Sequence, residues 1–160
     1  MFSSFEKMNI LHNISDICIN VSYAEGFGLS TLESMMTGTP IIAAKTGGLT
    51  RQVVNHKNGS QNGVALDIDL KTVVGSQSVP YIYEDYVSSE SVSKAMLKMY
   101  SMDTDEKEAL SRKCIEYVKS EFSHQKTIDD WHETLLKTVK DWKKGKSAVS
   151  YTHLTLPTSD

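Results

Sequence analysis

Glu25 and Glu33 flank a short run, Gly26-Phe27-Gly28-Leu29-Ser30-Thr31-Leu32, and these residue types suit one kind of chemistry. Carboxylates are acceptor-only groups that make strong charge-assisted bonds with sugar hydroxyls. Glycines let the backbone take positive φ and approach a ligand closely. Amides at the start of a helix, reinforced by its dipole, attract anions. The run reads as a cradle for a diphosphate with a hydrogen-bonding carboxylate on each side. A nucleotide sugar has that order of parts: ribose, diphosphate, hexose.

The flanks say what must position these groups. Asp16-Ile17-Cys18-Ile19-Asn20-Val21 is β-branched-rich and predicts a strand over 16–21. Leu29, Leu32, Met35 and Met36 recur at helical spacing, and Gly38-Thr39-Pro40 stops the pattern, so a helix is expected over 29–37. Ile41-Ile42-Ala43-Ala44 is apolar on both faces, as a parallel strand is, and 40–44 completes a right-handed β-α-β unit. Gly47-Gly48 then turns the chain into a short helix over 49–55. The turn between the first strand and its helix is therefore a strand-to-helix anion site.

The run from Glu25 to Glu33 resembles the E-x7-E signature of retaining glycosyltransferases of the two-Rossmann (GT-B) fold, in particular the group 1 family. Asn13-Ile14-Ser15-Asp16-Ile17 before it, Gly38-Thr39-Pro40-Ile41-Ile42-Ala43 after it and Gly47-Gly48-Leu49 beyond are also similar to that family. The resemblance covers about residues 8–140. It implies the C-terminal, donor-binding half of such an enzyme, truncated at its N-terminus. It further implies that Glu25 contacts donor-sugar hydroxyls as the catalytic carboxylate and that Glu33 contacts the ribose. Gly26, Phe27, Gly28, Leu29, Ser30, Gly47 and Gly48 would line the donor site, with no metal or other cofactor. Where the family often has a glutamate after the glycine pair, this chain has Arg51, expected to face the cleft and meet phosphate. The family's phosphate-binding Arg and Lys and its acceptor domain lie upstream, so this chain alone is expected to be inactive.

Other readings compete at single positions. Ser30-x-x-Glu33 is also a capping box, which would give Glu33 a purely structural role. Gly26-x-Gly28-x-x-Thr31 half-matches the dinucleotide fingerprint but lacks its third glycine, and Gly48 stands where the ribose-binding acid belongs. Asp67-x-Asp69 imitates a metal-binding pair but ends a strand. His12, His56, His124 and His132 are scattered, without zinc-ligand spacing. At the level of the whole chain, the alternatives are a non-catalytic or decayed nucleotide-sugar-binding module and a sugar-nucleotide epimerase of the same fold.

The fold class expected is α/β, a Rossmann-like parallel sheet flanked by helices, with a helical C-terminal part. Val64-Ala65-Leu66-Asp67-Ile68 reads as the last strand, and 70–87, with Gly75, Pro80, Tyr81, Tyr83 and Tyr86, as an irregular loop anchored by its tyrosines. A first helix carries a Ser3–Glu6 capping box. Later helices are expected over 89–101, 105–121 with an Asp103–Glu106 box, and 125–143. The last has Ile128, Trp131, Leu135, Val139 and Trp142 on one stripe.

The 160 residues, 39% hydrophobic, suffice for one domain with a core. A net charge of −3 with mixed signs gives no reason to expect nucleic acid. Two cysteines, Cys18 and Cys114, make no disulfide framework and fit a reducing, cytoplasmic setting. The donor is expected to be a nucleoside diphosphate sugar, and the acceptor a glycan or lipid held by the upstream domain, with any peripheral membrane contact made there too. Residues 149–160 resemble translated sequencing adapter. The division expected is therefore 1–146 as the partial donor-binding domain and 147–160 as a disordered, non-native tail.

Overall fold

The computed structural model describes residues 5–143, with Phe5 and Lys143 described in backbone only. The chain opens with α1 (Phe5–Ile14), then alternates β1 (Cys18–Asn20), α2 (Leu29–Met36), β2 (Ile41–Ala44), α3 (Gly47–Val53) and β3 (Gly63–Leu66). The three strands form a parallel sheet in the order β1-β2-β3, with Cys18 opposite Ile41 and Ile41 opposite Gly63. All four β2 residues are fully buried, which is why an unbroken apolar run sits at the centre.

Side chains of β2 alternate between two cores. Ile41 and Ala43 join Met35, Leu49, Val53, Cys114, Tyr117 and Val118 on one face. Ile42 joins Leu66, Ala95 and Met99 on the other. The result is a sheet sandwiched between helices, the α/β class expected. β1 is shorter than its 16–21 reading at both ends, and at the C-terminal one Asn20 stops it. Asn20 Oδ1 accepts from the Ser22 amide at 3.0 Å and the Ser22 hydroxyl at 2.7 Å, an Asx turn that lifts the chain out of the sheet.

Val64–Ile68 is not the last strand. Residues read as an irregular loop form an antiparallel hairpin, β4 (Leu70–Ser76) and β5 (Val79–Tyr86), registered from Leu70↔Tyr86 to Ser76↔Val79. Gly75, at φ 151°, marks an irregularity in register between Val74 and Ser76. Gly75 and Pro80 hid the strand pattern, yet a two-stranded ribbon accommodates a bulge and a proline that an inner strand would not. The hairpin base is tied down by the Asp85 amide on Tyr23 O, 2.7 Å, and by Tyr86 stacked on Tyr23 at 4.2 Å. Tyr86 is thus the anchor expected, whereas Tyr81 and Tyr83 are exposed.

Helices α4 (Ser89–Tyr100) and α5 (Thr104–Glu121) follow. Ser88 caps the first, and the Asp103–Glu106 capping box opens the second as read from the sequence. The described residues fall into two compact units, one ending at Phe122 and the other beginning at Ser123. In the second, α6 (His124–Lys143) carries the apolar stripe from Ile128 to Trp142 on its exposed surface. The Ser3 cap, the 146/147 boundary and the tail lie outside the described residues. No helix among the described residues is long and apolar enough to cross a membrane.

Candidate functional site

The turn from β1 to α2 rests on the start of α3. The Gly48 amide donates to Glu25 O at 3.2 Å. A Cβ on Gly47, whose φ is +44°, would lie 1.8 Å from that same oxygen, and one on Gly48 would lie 2.5 Å from Phe27 Cα. The glycine pair is therefore a platform that lets two backbones touch, and the Gly48 amide is already used by the turn rather than free for a ligand.

Gly28 occupies the N-cap position of α2 in the left-handed region, φ 87°, and no side chain caps the helix. The Leu32 amide donates to Gly28 O at 3.2 Å, closing the first helical turn. The amides of Phe27, Gly28, Leu29, Ser30 and Thr31 have no acceptor among the described residues. Five successive unpaired donors beside a left-handed residue, at a helix N-terminus, make a site of positive potential.

What holds this turn is a residue that the sequence reading missed. Gln52, on α3, is fully buried. Its Nε2 donates to Phe27 O at 2.6 Å and to Gly28 O at 3.1 Å. Its Oε1 accepts from the Thr31 hydroxyl, which also lies 2.8 Å from Gly28 O. The available signal was a polar residue at a core-facing spacing, since Leu49, Gln52 and Val53 share the buried side of α3. Phe27 is anchored too, edge-on to Phe122 with centroids 6.0 Å apart. Phe27, Leu29 and Ser30 are all exposed.

The two carboxylates have different settings. Glu25 is half-buried, and its side chain makes no hydrogen bond or ion pair among the described residues. Glu33 is exposed, on α2, with Oε2 3.6 Å from the His12 Nε2 of α1. The Ser30–Glu33 capping box does not form, because Gly28 is the N-cap and Ser30 already lies inside the helix. Met8, Asn9, His12, Glu33, Met36 and Thr37 line a cavity of about 250 Å³ beside this pair.

Arg51, expected to meet phosphate, has a partner within the chain. Its guanidinium lies 3.7 Å from the Glu121 carboxylate and 5.9 Å from the centroid of the Phe122 ring. Lys57 and His56 share the same buried carboxylate. Hydrogen bonding from Lys57, and then the charges of Lys57 and His56, hold Glu121 below the usual carboxylate range. Asp67 pairs with Lys45 at 2.6 Å and Asp69 accepts from the Ser88 amide at 2.6 Å, so both finish a strand end as expected. Cys18 and Cys114 are free thiols, and burial pushes Cys114 up to about 12. Among the described residues no three His, Cys, Asp or Glu side chains are grouped to hold a metal ion.

Comparison with known proteins bears on this site. The fold is that of the C-terminal domain of glycosyl transferase group 1 family protein LpcC from Francisella tularensis. The similarity has a TM-score of 0.54 at 18% identity and covers 78% of this chain and 52% of that one. A D-inositol 3-phosphate glycosyltransferase from Corynebacterium jeikeium is 29% identical over 108 residues, 59% of this chain and 25% of the relative. D-inositol 3-phosphate glycosyltransferase 2 from Catenulispora acidiphila is 39% identical over 49 residues, 31% of this chain and 12% of its own length. A trehalose synthase from Pyrococcus horikoshii is 36% identical over 53 residues, 33% of this chain and 13% of its own. The chain thus spans only a small part of the curated relatives it matches. Residues 1–67, which hold α1 through β3 and the whole turn, match the family of glycosyl transferases group 1.

Proposed function

We propose that this chain is the nucleotide-sugar-binding part of a group 1 glycosyltransferase that transfers a hexose with retention of anomeric configuration. The observation that carries the reading is the uncapped start of α2, with unpaired amides from Phe27 to Thr31 between Glu25 and Glu33. It lies within the stretch matched to that family. A leaving diphosphate gains negative charge as the sugar departs, and pre-oriented amides with a helix dipole stabilise that charge without reorganising. Glu25, with no protein partner, orients sugar hydroxyls. Glu33 accepts from the ribose. Gly47 and Gly48 act beneath the turn, as the surface on which it rests.

On this reading the amides carry the electrostatic work, no metal is required, and the acceptor, a glycan or lipid, is bound by a further part of the protein. The setting is cytoplasmic. Whether the chain also acts as a binding module without transfer depends on that further part.

The test is a titration of the chain with UDP, GDP and ADP and with their glucose and mannose conjugates, followed by amide chemical shifts. Binding of at least one nucleotide sugar, shifting the amides of 27–31, is expected. Glu33→Ala is expected to weaken nucleoside diphosphate and nucleotide sugar alike, by about tenfold. Glu25→Ala is expected to weaken the nucleotide sugar and leave the nucleoside diphosphate unchanged. Absence of binding across the panel, or indifference of both ligands to Glu25→Ala, would overturn the reading.

A further inference from the structure

We propose that Gln52 is a positioning residue for the diphosphate, acting through the backbone it holds rather than by touching ligand; this rests on the donor-site reading above. An isolated Gly-x-Gly turn has several conformations, and its peptide units can flip. A flipped Phe27–Gly28 or Gly28–Leu29 peptide would direct a carbonyl oxygen where the ligand needs an amide. The primary amide of Gln52 opposes both flips at once, alone at Phe27 O and together with the Leu32 amide at Gly28 O. Its two N–H groups hold the Phe27 and Gly28 carbonyls on the protein side, at 2.6 and 3.1 Å. The peptide planes then direct the Gly28 and Leu29 N–H groups to the opposite side, because the C=O and N–H of a trans peptide point in opposite directions.

The amide has no freedom to do otherwise. Gln52 is fully buried, and its Oε1 is fixed by the Thr31 hydroxyl, which sets which end of the amide faces the turn. Thr31 is itself fully buried on the first turn of α2. One side chain therefore joins the turn, the start of α2 and the body of α3. Gly28 completes the fit: a Cβ there would lie 2.5 Å from Leu49 Cδ2 and 2.8 Å from Thr31 Oγ1. A group that only filled space at position 52 would leave Phe27 O without a protein donor and Gly28 O with the Leu32 amide and the Thr31 hydroxyl alone, so the Phe27–Gly28 flip would open first.

The discriminating variant is Gln52→Met, similar in length and volume but without donors. The probe is inorganic pyrophosphate, which isolates the diphosphate site from base and sugar, read by the amide shifts of residues 27–31 in the full chain. Wild type is expected to bind, and Gln52→Met to bind at least about tenfold more weakly. In the variant, hydrogen exchange at Leu32, whose amide is bonded to Gly28 O, should be faster, while the amides of Ile42 and Cys114 stay unchanged. Equal pyrophosphate affinity in both proteins overturns the role of Gln52 and leaves the donor site standing. No binding of pyrophosphate or any nucleotide to wild type instead overturns the donor site itself. Should Gln52→Met not fold, Thr31→Val frees the Gln52 amide to rotate while keeping its donors. Weakened pyrophosphate binding there supports the assignment, and unchanged binding refutes it.

Discussion

At the scale of single residues, Gly28 and Gly26 separate two meanings that one motif spells alike. Gly28 has φ +87° and no room for a methyl group beside Leu49 and Thr31, whereas a Cβ on Gly26 would meet nothing within 4 Å. Gly28→Ala is therefore expected to cost about 1–3 kcal/mol of stability from the backbone alone, with more from the contact. Gly26→Ala should stay within about 0.5 kcal/mol of wild type. Urea unfolding of both variants checks this, and equal losses would mean the turn is not held in the conformation seen. Glu25, Glu33 and the glycines stood out in the sequence, because two carboxylates around a Gly-x-Gly turn at a helix start suit a polar, anionic ligand far better than a core. Gln52 gave only a faint signal, a polar residue at a core-facing spacing, and its partners, Phe27 O and Gly28 O, are backbone atoms that no sequence pattern displays. The partner of Arg51 was hidden for a related reason: Glu121 is seventy positions away, and only the packing of α5 on α3 brings the two together.

Elements formed where local signals and tertiary burial agreed. The apolar run of β2, the Asp103–Glu106 box of α5 and the glycine stop after α2 were all legible in one dimension. The hairpin was not, since its stability comes from cross-strand pairs such as Val73↔Tyr83 and from docking on Tyr23, which no window of sequence displays. The end of α5 carries its own prediction. Glu121, nearly buried, is held ionised by Lys57, with Arg51 and His56 alongside. Its folded pKa lies below the unfolded value, so the folded state binds this proton less readily. The stabilisation is complete above the unfolded carboxyl value of about 4.3 and is lost as pH falls through the lower folded value. Glu121→Gln should therefore lower Tm at neutral pH and flatten its fall below about pH 4.3. Tm curves for the two proteins that run parallel across the acid range would remove Glu121 as a contributor.

For the whole molecule, both apolar clusters draw their members from residues up to Phe122, so the sheet and its turn are built within the first unit. The second unit contains the only two tryptophans of the chain, Trp131 and Trp142, 63% and 72% exposed on α6. Their stripe shares its spacing with buried helix faces, which is why sequence alone reads it as packing. Intrinsic fluorescence follows from this placement. An indole in water emits at longer wavelength than one in an apolar core, and the tyrosines of the first unit, such as buried Tyr117, are not excited at the red edge of the tryptophan band. With that excitation, the native chain at low concentration should show water-like emission, ready quenching by acrylamide, and little change as circular dichroism reports the melting of the sheet. Blue-shifted emission that moves to the red during the same melt would show instead that the stripe is covered in the native chain.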